Sequence, residues 1–219
     1  MPTPRKRLTS DPPHEVKAIR KHIKEALNCR DEEGRRVGNS KCGVYLFYDY
    51  DGEPIYVGQT YEKLRARIGR HLTNQRTDAV AMNVLDPFEV AEVEMWPLWE
   101  LEDATEAERK SRLAEVEFGV FQLALRKSVF KGLLNEKEIA PMEATKLPPS
   151  YRVPIIPEDI YGLRSHPDIR IARRASTIAN LARVISERSP STGLRRTLRT
   201  QARRLEWLAS ERYRAFGQD

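Results

Sequence analysis

Four side chains near the middle of the chain have the types and the spacing needed for chemistry on a phosphate group. Tyr45 and Tyr56 are joined by a short connection, and Arg67 is followed four positions later by His71. A guanidinium can bind a phosphate, an imidazole can move a proton near neutral pH, and a phenol can orient water. Together they predict a phosphate-binding site that can also handle a proton.

The two tyrosines are predicted to lie on the strands of one β-hairpin. Residues 44–48 and 54–58 are rich in aromatic and β-branched side chains, and an Asp-Gly pair at 51–52 lies between them, which is a hairpin signal. A turn centred on that pair places Tyr45 opposite Gly58. Because side chains alternate along a strand, both phenols then share one face of the hairpin.

The segment after the hairpin changes to helical spacing. Leu64, Ile68 and Leu72 recur every four positions, and Arg67 and His71 have the same separation. A cation and an imidazole are therefore predicted to share one face of a helix.

These residues resemble the GIY-YIG nuclease family. The first family element appears as Gly43-Val44-Tyr45 and the second as Tyr56-Val57-Gly58, both as mild variants. The resemblance covers about the middle hundred residues. It implies a small α/β module that hydrolyses DNA phosphodiesters with one divalent metal ion. The family's other catalytic positions match, in order, Arg67, His71, Glu117 and Asn135.

The choice of Glu117 as the metal ligand also follows from the helical pattern. Residues 105–130 are predicted to form a long helix, and Glu117 falls inside its apolar stripe, whereas Glu115 lies on the polar side. A carboxylate facing the core is costly unless it is paired or binds a metal. The alternative is a structural ion pair with an arginine such as Arg67. The apolar stripe consists of Leu113, Val116, Val120, Phe121, Leu123 and Ala124.

A single carboxylate suits Mg²⁺, which keeps most of its water ligands; Mn²⁺ is the second choice. Asn135 follows the long helix and resembles the closing residue of the family, although an asparagine there is often only a cap or a turn residue. Gly58 and Gln59, where the second strand ends, are assigned to DNA contact.

The residue types lead to a hypothesis for hydrolysis. Tyr45 orients and deprotonates water with His71 behind it, Tyr56 positions the phosphate or the water, and Arg67 binds the scissile phosphate. Glu117 holds the metal ion. Because an unperturbed tyrosine has a pKa near ~10, its use as a base needs neighbours that favour the phenolate, and His71 is an equal alternative as proton acceptor.

The positive charge of the chain is concentrated at its C-terminal end. The chain carries a net charge of +6, and residues 151–219 contain 14 arginines against 7 acidic residues. Apolar spacing in this segment predicts a helical hairpin with an arginine-rich outer face that contacts DNA phosphates. The alternatives are a solvated face, or a dimerisation hairpin whose arginines pair with acids elsewhere. The arginines assigned to DNA contact are Arg195, Arg196, Arg199, Arg203 and Arg204.

The predicted fold class is α+β, with a three-stranded antiparallel sheet flanked by helices. Residues 88–96 form its third strand, and Glu92 and Glu94 are expected on its solvated face. A helix at 14–27 packs on the core and keeps Lys17, Arg20, Lys21 and Lys24 in solvent rather than on DNA. The predicted organisation is a basic arm and helix at 1–40, the nuclease domain at 41–140, a proline-rich linker at 141–157 and the helical hairpin at 158–219.

The remaining features point to a DNA-cleaving protein of the cytoplasm. No apolar run reaches membrane length, and Cys29 and Cys42 have no zinc spacing and are expected as free thiols. A restriction-type endonuclease is the first choice, acting as a homodimer beside a companion methyltransferase. A mobile-element or repair nuclease, a DNA-binding module without catalysis, and a structural protein that oligomerises through the hairpin are the alternatives.

Overall fold

The centre of the molecule is an antiparallel sheet. The computed structural model describes residues 12–73, 84–143, 145–187 and 191–217. The predicted α+β class is confirmed, but the described sheet has four strands rather than the three predicted, in the order β2-β1-β3-β4. The strands are β1 (Gly43–Tyr48), β2 (Pro54–Thr60), β3 (Glu92–Pro97) and β4 (Tyr151–Pro154).

Helices cover both faces of this sheet. The described helices are α1 (His14–Ala26), α2 (Leu64–Leu72), α3 (Glu106–Lys127), α4 (Glu158–Ser165), α5 (Pro167–Glu187) and α6 (Thr192–Phe216). The long helix α3 buries its apolar stripe against one face of the sheet. Helices α1 and α2 and the α5–α6 hairpin contribute apolar side chains to the core on the other face.

The β1–β2 hairpin has the predicted register. Its turn contains Gly52 at a φ of 73°, a left-handed conformation that favours glycine. The carboxylate of Asp49 accepts hydrogen bonds from the backbone N–H groups of Asp51 and Glu53. As a result, Tyr45 is paired with Gly58 across the two strands.

Strand β4 changes the surroundings of β3. It lies inside the segment expected to be a linker, and it pairs with β3, so that β3 is an inner strand. The prediction that Glu94 is solvated is therefore wrong: its side chain is buried and accepts hydrogen bonds from Tyr48 and Ser150. Glu92 pairs with Arg152 of β4.

The C-terminal helical hairpin is attached to the core by a buried ion cluster. Asp49 is 1% exposed, and its Oδ2 lies 2.7 Å from Arg204 and 3.1 Å from Arg174. Arg174 also donates to Glu89 at 2.6 Å. Arg170 joins the cluster through Asp51. Three arginines of α5 and α6 thus neutralise the acidic turn of the β1–β2 hairpin and the neighbouring Glu89.

Two further predictions bear on the environment of the chain. Cys29 and Cys42 are free thiols, as expected. Within the described part of the chain, no helix combines the length and the apolar character needed to cross a membrane. The predicted basic arm at residues 5–7 lies outside the described residues.

Candidate active site

A cavity opens at the outer edge of β2, between α2 and α3. Its volume is about 490 Å³. Among the residues that line it are Tyr56 and Gly58 of β2, Arg67 of α2, Glu117 of α3, and Asn135 from the segment that follows α3. Side chains that are distant in sequence therefore converge on one opening, and four of the six residues predicted to be catalytic line it directly.

The other two, Tyr45 and His71, lie behind the cavity wall. Both are buried, and the Tyr45 hydroxyl lies 3.0 Å from Nε2 of His71, so the two side chains share a hydrogen bond. A Cβ atom at Gly58 would be 2.4 Å from that hydroxyl. The phenol thus occupies the space left by the missing side chain of Gly58, immediately behind the wall that Gly58 forms.

This close approach gives Gly58 a testable role. In Gly58→Ala the added methyl group collides with the Tyr45 ring, which is buried and cannot swing into solvent. We expect a loss of about 1–3 kcal/mol in the free energy of unfolding, as in overpacked cores, together with displacement of the phenol from His71. Urea unfolding measures the first effect, and the rate of the DNA hydrolysis that the family resemblance implies measures the second.

Gly162→Ala is the matched control, because apart from the backbone of its own helix no described atom lies within 4 Å of its added Cβ. If Gly58→Ala is as stable and as active as Gly162→Ala, the packing of Tyr45 against Gly58 has no functional importance.

Glu117 is a partly buried carboxylate with no ion pair to any described residue. Burial raises its pKa from the ordinary 4.5 to about 7. The alternative of a structural ion pair with Arg67 is not found among the described contacts. Glu115, by contrast, lies on the other side of α3 and pairs with Arg112 at 3.1 Å. Glu117 is therefore a carboxylate of this helix that lies beside the cavity without a cationic partner among the described residues.

The raised pKa of Glu117 predicts how stability depends on pH. Without metal, the carboxyl is protonated in the folded protein up to about pH 7 but ionises near 4.5 when unfolded, so its destabilising effect develops as pH rises between these values. Since one pKa unit corresponds to about 1.4 kcal/mol, Glu117→Gln should be more stable than the parent by at most about 3 kcal/mol at pH 8. This advantage should shrink towards pH 5.

Urea unfolding in EDTA at the two pH values checks this expectation. A Glu117→Gln protein that is less stable than its parent at pH 8 would instead indicate a stabilising ion pair. Addition of Mg²⁺ at pH 8 should stabilise the parent and not the variant, because a ligand that binds only the folded state raises its stability.

Arg67 is the cationic counterpart of Glu117 in the cavity. Its side chain makes no hydrogen bond or ion pair with any described residue, and its Nε is buried. A guanidinium with free donors facing a cavity can bind a phosphate through two parallel hydrogen bonds. The cavity thus contains a guanidinium and a carboxylate that form no ion pair with any described residue, and a phosphate together with a metal ion would neutralise them.

The donor set fits a metal with few protein ligands. In the described part of the chain, no three His, Cys, Asp or Glu side chains are grouped closely enough to hold a metal ion. A site for Zn²⁺ with three or four protein ligands is thus not found there. A single carboxylate such as Glu117 does suit Mg²⁺, which binds one or two carboxylates plus water and substrate phosphate.

Asn135 acts on the backbone of β2. Its Nδ2 donates to the carbonyl of Val57 at 2.8 Å, and its Oδ1 accepts from the N–H of Val57 at 3.1 Å. Leu134 adds a backbone hydrogen bond to Ile55. The Asn135 side chain therefore pairs with the backbone N–H and C=O of Val57 at the outer edge of β2, between Tyr56 and Gly58. No periodicity reveals such a contact, so the sequence indicated only the residue and not this role.

Comparison with known proteins agrees with this geometry. The sequence model of the GIY-YIG catalytic domain matches residues 41–115. The chain contains a GIY-YIG catalytic domain. The match includes Tyr45, Tyr56, Arg67 and His71 and ends before Glu117, so the assignment of Glu117 rests on the helical pattern and on its place in the cavity rather than on this match. Searches of curated proteins and of solved structures found no match.

The arginines assigned to DNA contact, which lie outside the matched GIY-YIG domain, are not all on the surface of the protein. Arg195, Arg199 and Arg203 are exposed, and Arg196, also exposed, donates to Glu138 and to the carbonyl of Asn135 beside the cavity. The prediction of an outer-face position is wrong for Arg204, which is 1% exposed and pairs with Asp49. Its partners lie far away in sequence, so the helical pattern did not reveal its burial.

Gln59 fits a contact role through its position. It lines the cavity, and its Oε1 is buried without a hydrogen-bond partner among the described residues. An unsatisfied amide oxygen at this place can accept a hydrogen bond from a ligand, since buried polar atoms are normally paired.

Proposed function

We propose that this protein is a metal-dependent DNA endonuclease of the restriction type. The observation that carries the proposal is the presence of Arg67 and Glu117, both without partners among the described residues, in the same cavity of a GIY-YIG domain. A bound DNA phosphate would pair with the arginine. A divalent cation would pair with the carboxylate. The charges of the substrate and of the metal ion would then balance those of Arg67 and Glu117.

The residues divide the binding task between them. Arg67 binds the scissile phosphate and stabilises the charge that develops on its oxygens. Glu117 holds Mg²⁺, which when bound lowers the pKa of water and stabilises negative charge on phosphoryl oxygens. Tyr56, on the cavity wall, positions the phosphate or the attacking water. Asn135 keeps β2 in place, so its role is positioning rather than direct contact with the reacting atoms.

The proton is handled by Tyr45 and His71. Their hydroxyl and Nε2 are 3.0 Å apart, close enough for a proton to move between them. The phenol lies directly behind Gly58, which lines the cavity. When Nε2 of His71 is unprotonated, Tyr45 can give it the phenolic proton and take a proton from water at this wall, so that the proton lost by water is kept by the Tyr45–His71 pair. If Tyr45→Phe cleaves DNA as fast as the parent protein, Tyr45 is not the base, and His71 is then the acceptor to examine.

The restriction-type assignment concerns the biological role. The exposed Arg195, Arg196, Arg199 and Arg203 offer contacts to DNA phosphates, and Arg196 lies beside the cavity. One active site cuts one strand, so double-strand cleavage needs two copies of the chain, arranged as a two-fold dimer on a palindromic site. A restriction enzyme also needs a companion methyltransferase that protects the host DNA.

Digestion of unmethylated phage DNA tests this role. Discrete fragments that require Mg²⁺ are expected and would give the recognition site directly. Nicking or smearing without discrete fragments would contradict the restriction role and favour a repair nuclease. Tight, salt-sensitive binding without cleavage would contradict catalysis and favour a binding module.

A further inference from the structure

A second concentration of positive charge lies between α1 and α2. The groove between these helices has a volume of about 660 Å³. Among the described residues that line it there is no aspartate or glutamate. Five cationic side chains line it: Arg20, Lys24, Lys63, Arg65 and Arg70.

Most of this charge is not neutralised within the described protein. Arg20, Lys24 and Lys63 are exposed and make no ion pair with a described residue. Arg65 donates to the neutral amide of Asn28 at 2.7 Å, while its Nε is buried and has no hydrogen-bond partner among the described residues. The exception is Arg70, which pairs with Glu62. The groove therefore keeps a net positive charge that an anion would balance.

The groove and the candidate active site share helix α2. This helix presents Arg67 to the cavity at β2, and it presents Arg65, Gly69 and Arg70 to the groove. A helix with its side chains is about 10–12 Å across, and duplex DNA advances 3.4 Å per step along each strand. A strand that crosses α2 would thus place phosphates in both openings, only a few nucleotides apart.

We propose that the α1–α2 groove binds the phosphate backbone of the DNA strand beside the scissile phosphate. This inference rests on the proposed function and adds a contact that the sequence did not predict, since Arg20 and Lys24 were expected in solvent. The groove and the arginines of α6 would then hold the duplex on two sides of the active site.

Gly69 allows the groove to be tested without removing a side chain. It belongs to α2, and apart from the backbone of its own helix no described atom lies within 4 Å of the position where its Cβ would be. Gly69→Glu therefore fits without a clash. Its carboxylate, four positions after Arg65, would repel a phosphate in the groove. Gly162→Glu makes the same charge change at an exposed site of α4 that is equally free of neighbours, and it serves as the control.

The experiment measures binding of a labelled DNA duplex in EDTA, so that cleavage plays no part, at a series of salt concentrations. The slope of log affinity against log salt falls by about 0.9 for each phosphate contact that is lost. The double variant Arg20→Ala/Lys24→Ala should reduce the slope by about two and weaken binding at least about tenfold. Gly69→Glu should weaken binding in the same way, whereas Gly162→Glu should bind like the parent.

Three outcomes decide the inference. Reduced affinity and slope in both groove variants support it. Binding and slope equal to the parent in both variants overturn the groove and leave the proposed nuclease function intact. Failure of the parent protein to bind any duplex overturns the proposed function, and the groove inference is overturned with it.

Discussion

Replacing Glu117 with glutamine is expected to slow DNA cleavage on the order of a thousandfold while leaving the protein folded. The substitution keeps the size of the side chain but removes the charge that would hold a divalent cation beside Arg67. Removal of a principal electrostatic group from an active site typically has an effect of this size. The measurement is the single-turnover cleavage rate at saturating protein and Mg²⁺.

Glu115→Gln is the matched control for this prediction. It makes the same change two positions away on α3, at a carboxylate that pairs with Arg112 and does not line the cavity. Its rate should stay within about twofold of the parent, because it lies outside the site. Equal rates for Glu117→Gln and the parent would show that this carboxylate is not the metal ligand, and equal losses in both variants would indicate a general effect of charge.

The second large effect is expected at Asp49. Its carboxylate contacts Arg174 and Arg204, both almost fully buried, and lies 3.5 Å from Arg170. Asp49→Asn keeps the shape and one acceptor oxygen but leaves three buried guanidinium groups with less negative charge around them. Breaking a buried ion pair on one side costs about 3–5 kcal/mol. Urea unfolding should show a loss of this size.

An exposed ion pair of the same helical hairpin provides the comparison. Asp168 accepts hydrogen bonds from Arg212 at 2.8 and 3.0 Å, and both side chains are partly in solvent. Asp168→Asn should therefore cost less than about 1 kcal/mol. If Asp49→Asn is no more destabilising than Asp168→Asn, the buried cluster does not attach the hairpin to the core.

The helical hairpin also contacts the segment that holds the edge of the candidate active site. A Cβ at Gly193, in the first turn of α6, would lie 1.8 Å from the carbonyl oxygen of Glu136. Helix α6 thus packs directly on the segment that follows Asn135, and Asn135 in turn holds the edge of β2. The helical hairpin supports the position of Tyr56 and Gly58 through this chain of contacts.

The parts of the site that depend on local periodicity could be predicted from the sequence. Alternation along two short strands and an Asp-Gly turn were sufficient to place Tyr45 opposite Gly58. The apolar stripe of α3 was sufficient to distinguish Glu117 from Glu115, because a helix of 22 residues fixes the direction of each side chain well. These features are set by neighbours within a few residues.

The features that could not be predicted depend on partners far away in sequence. Strand β4 is only four residues long and lies in a proline-rich segment, so nothing local distinguishes it from a linker. Arg204 has the sequence surroundings of a surface arginine, and its burial follows from acids on the β1–β2 turn. The backbone contact of Asn135 requires β2 to be in place before it can form.

The most direct measurement is cleavage of a supercoiled plasmid by the parent protein and by Arg67→Ala, in Mg²⁺ and in EDTA. Since Arg67 lines the cavity and has no ion pair with a described residue, we expect conversion to open-circular or linear DNA only for the parent protein and only with Mg²⁺. Cleavage that persists in EDTA, or that is unchanged in Arg67→Ala, would contradict a metal-dependent nuclease site at this cavity.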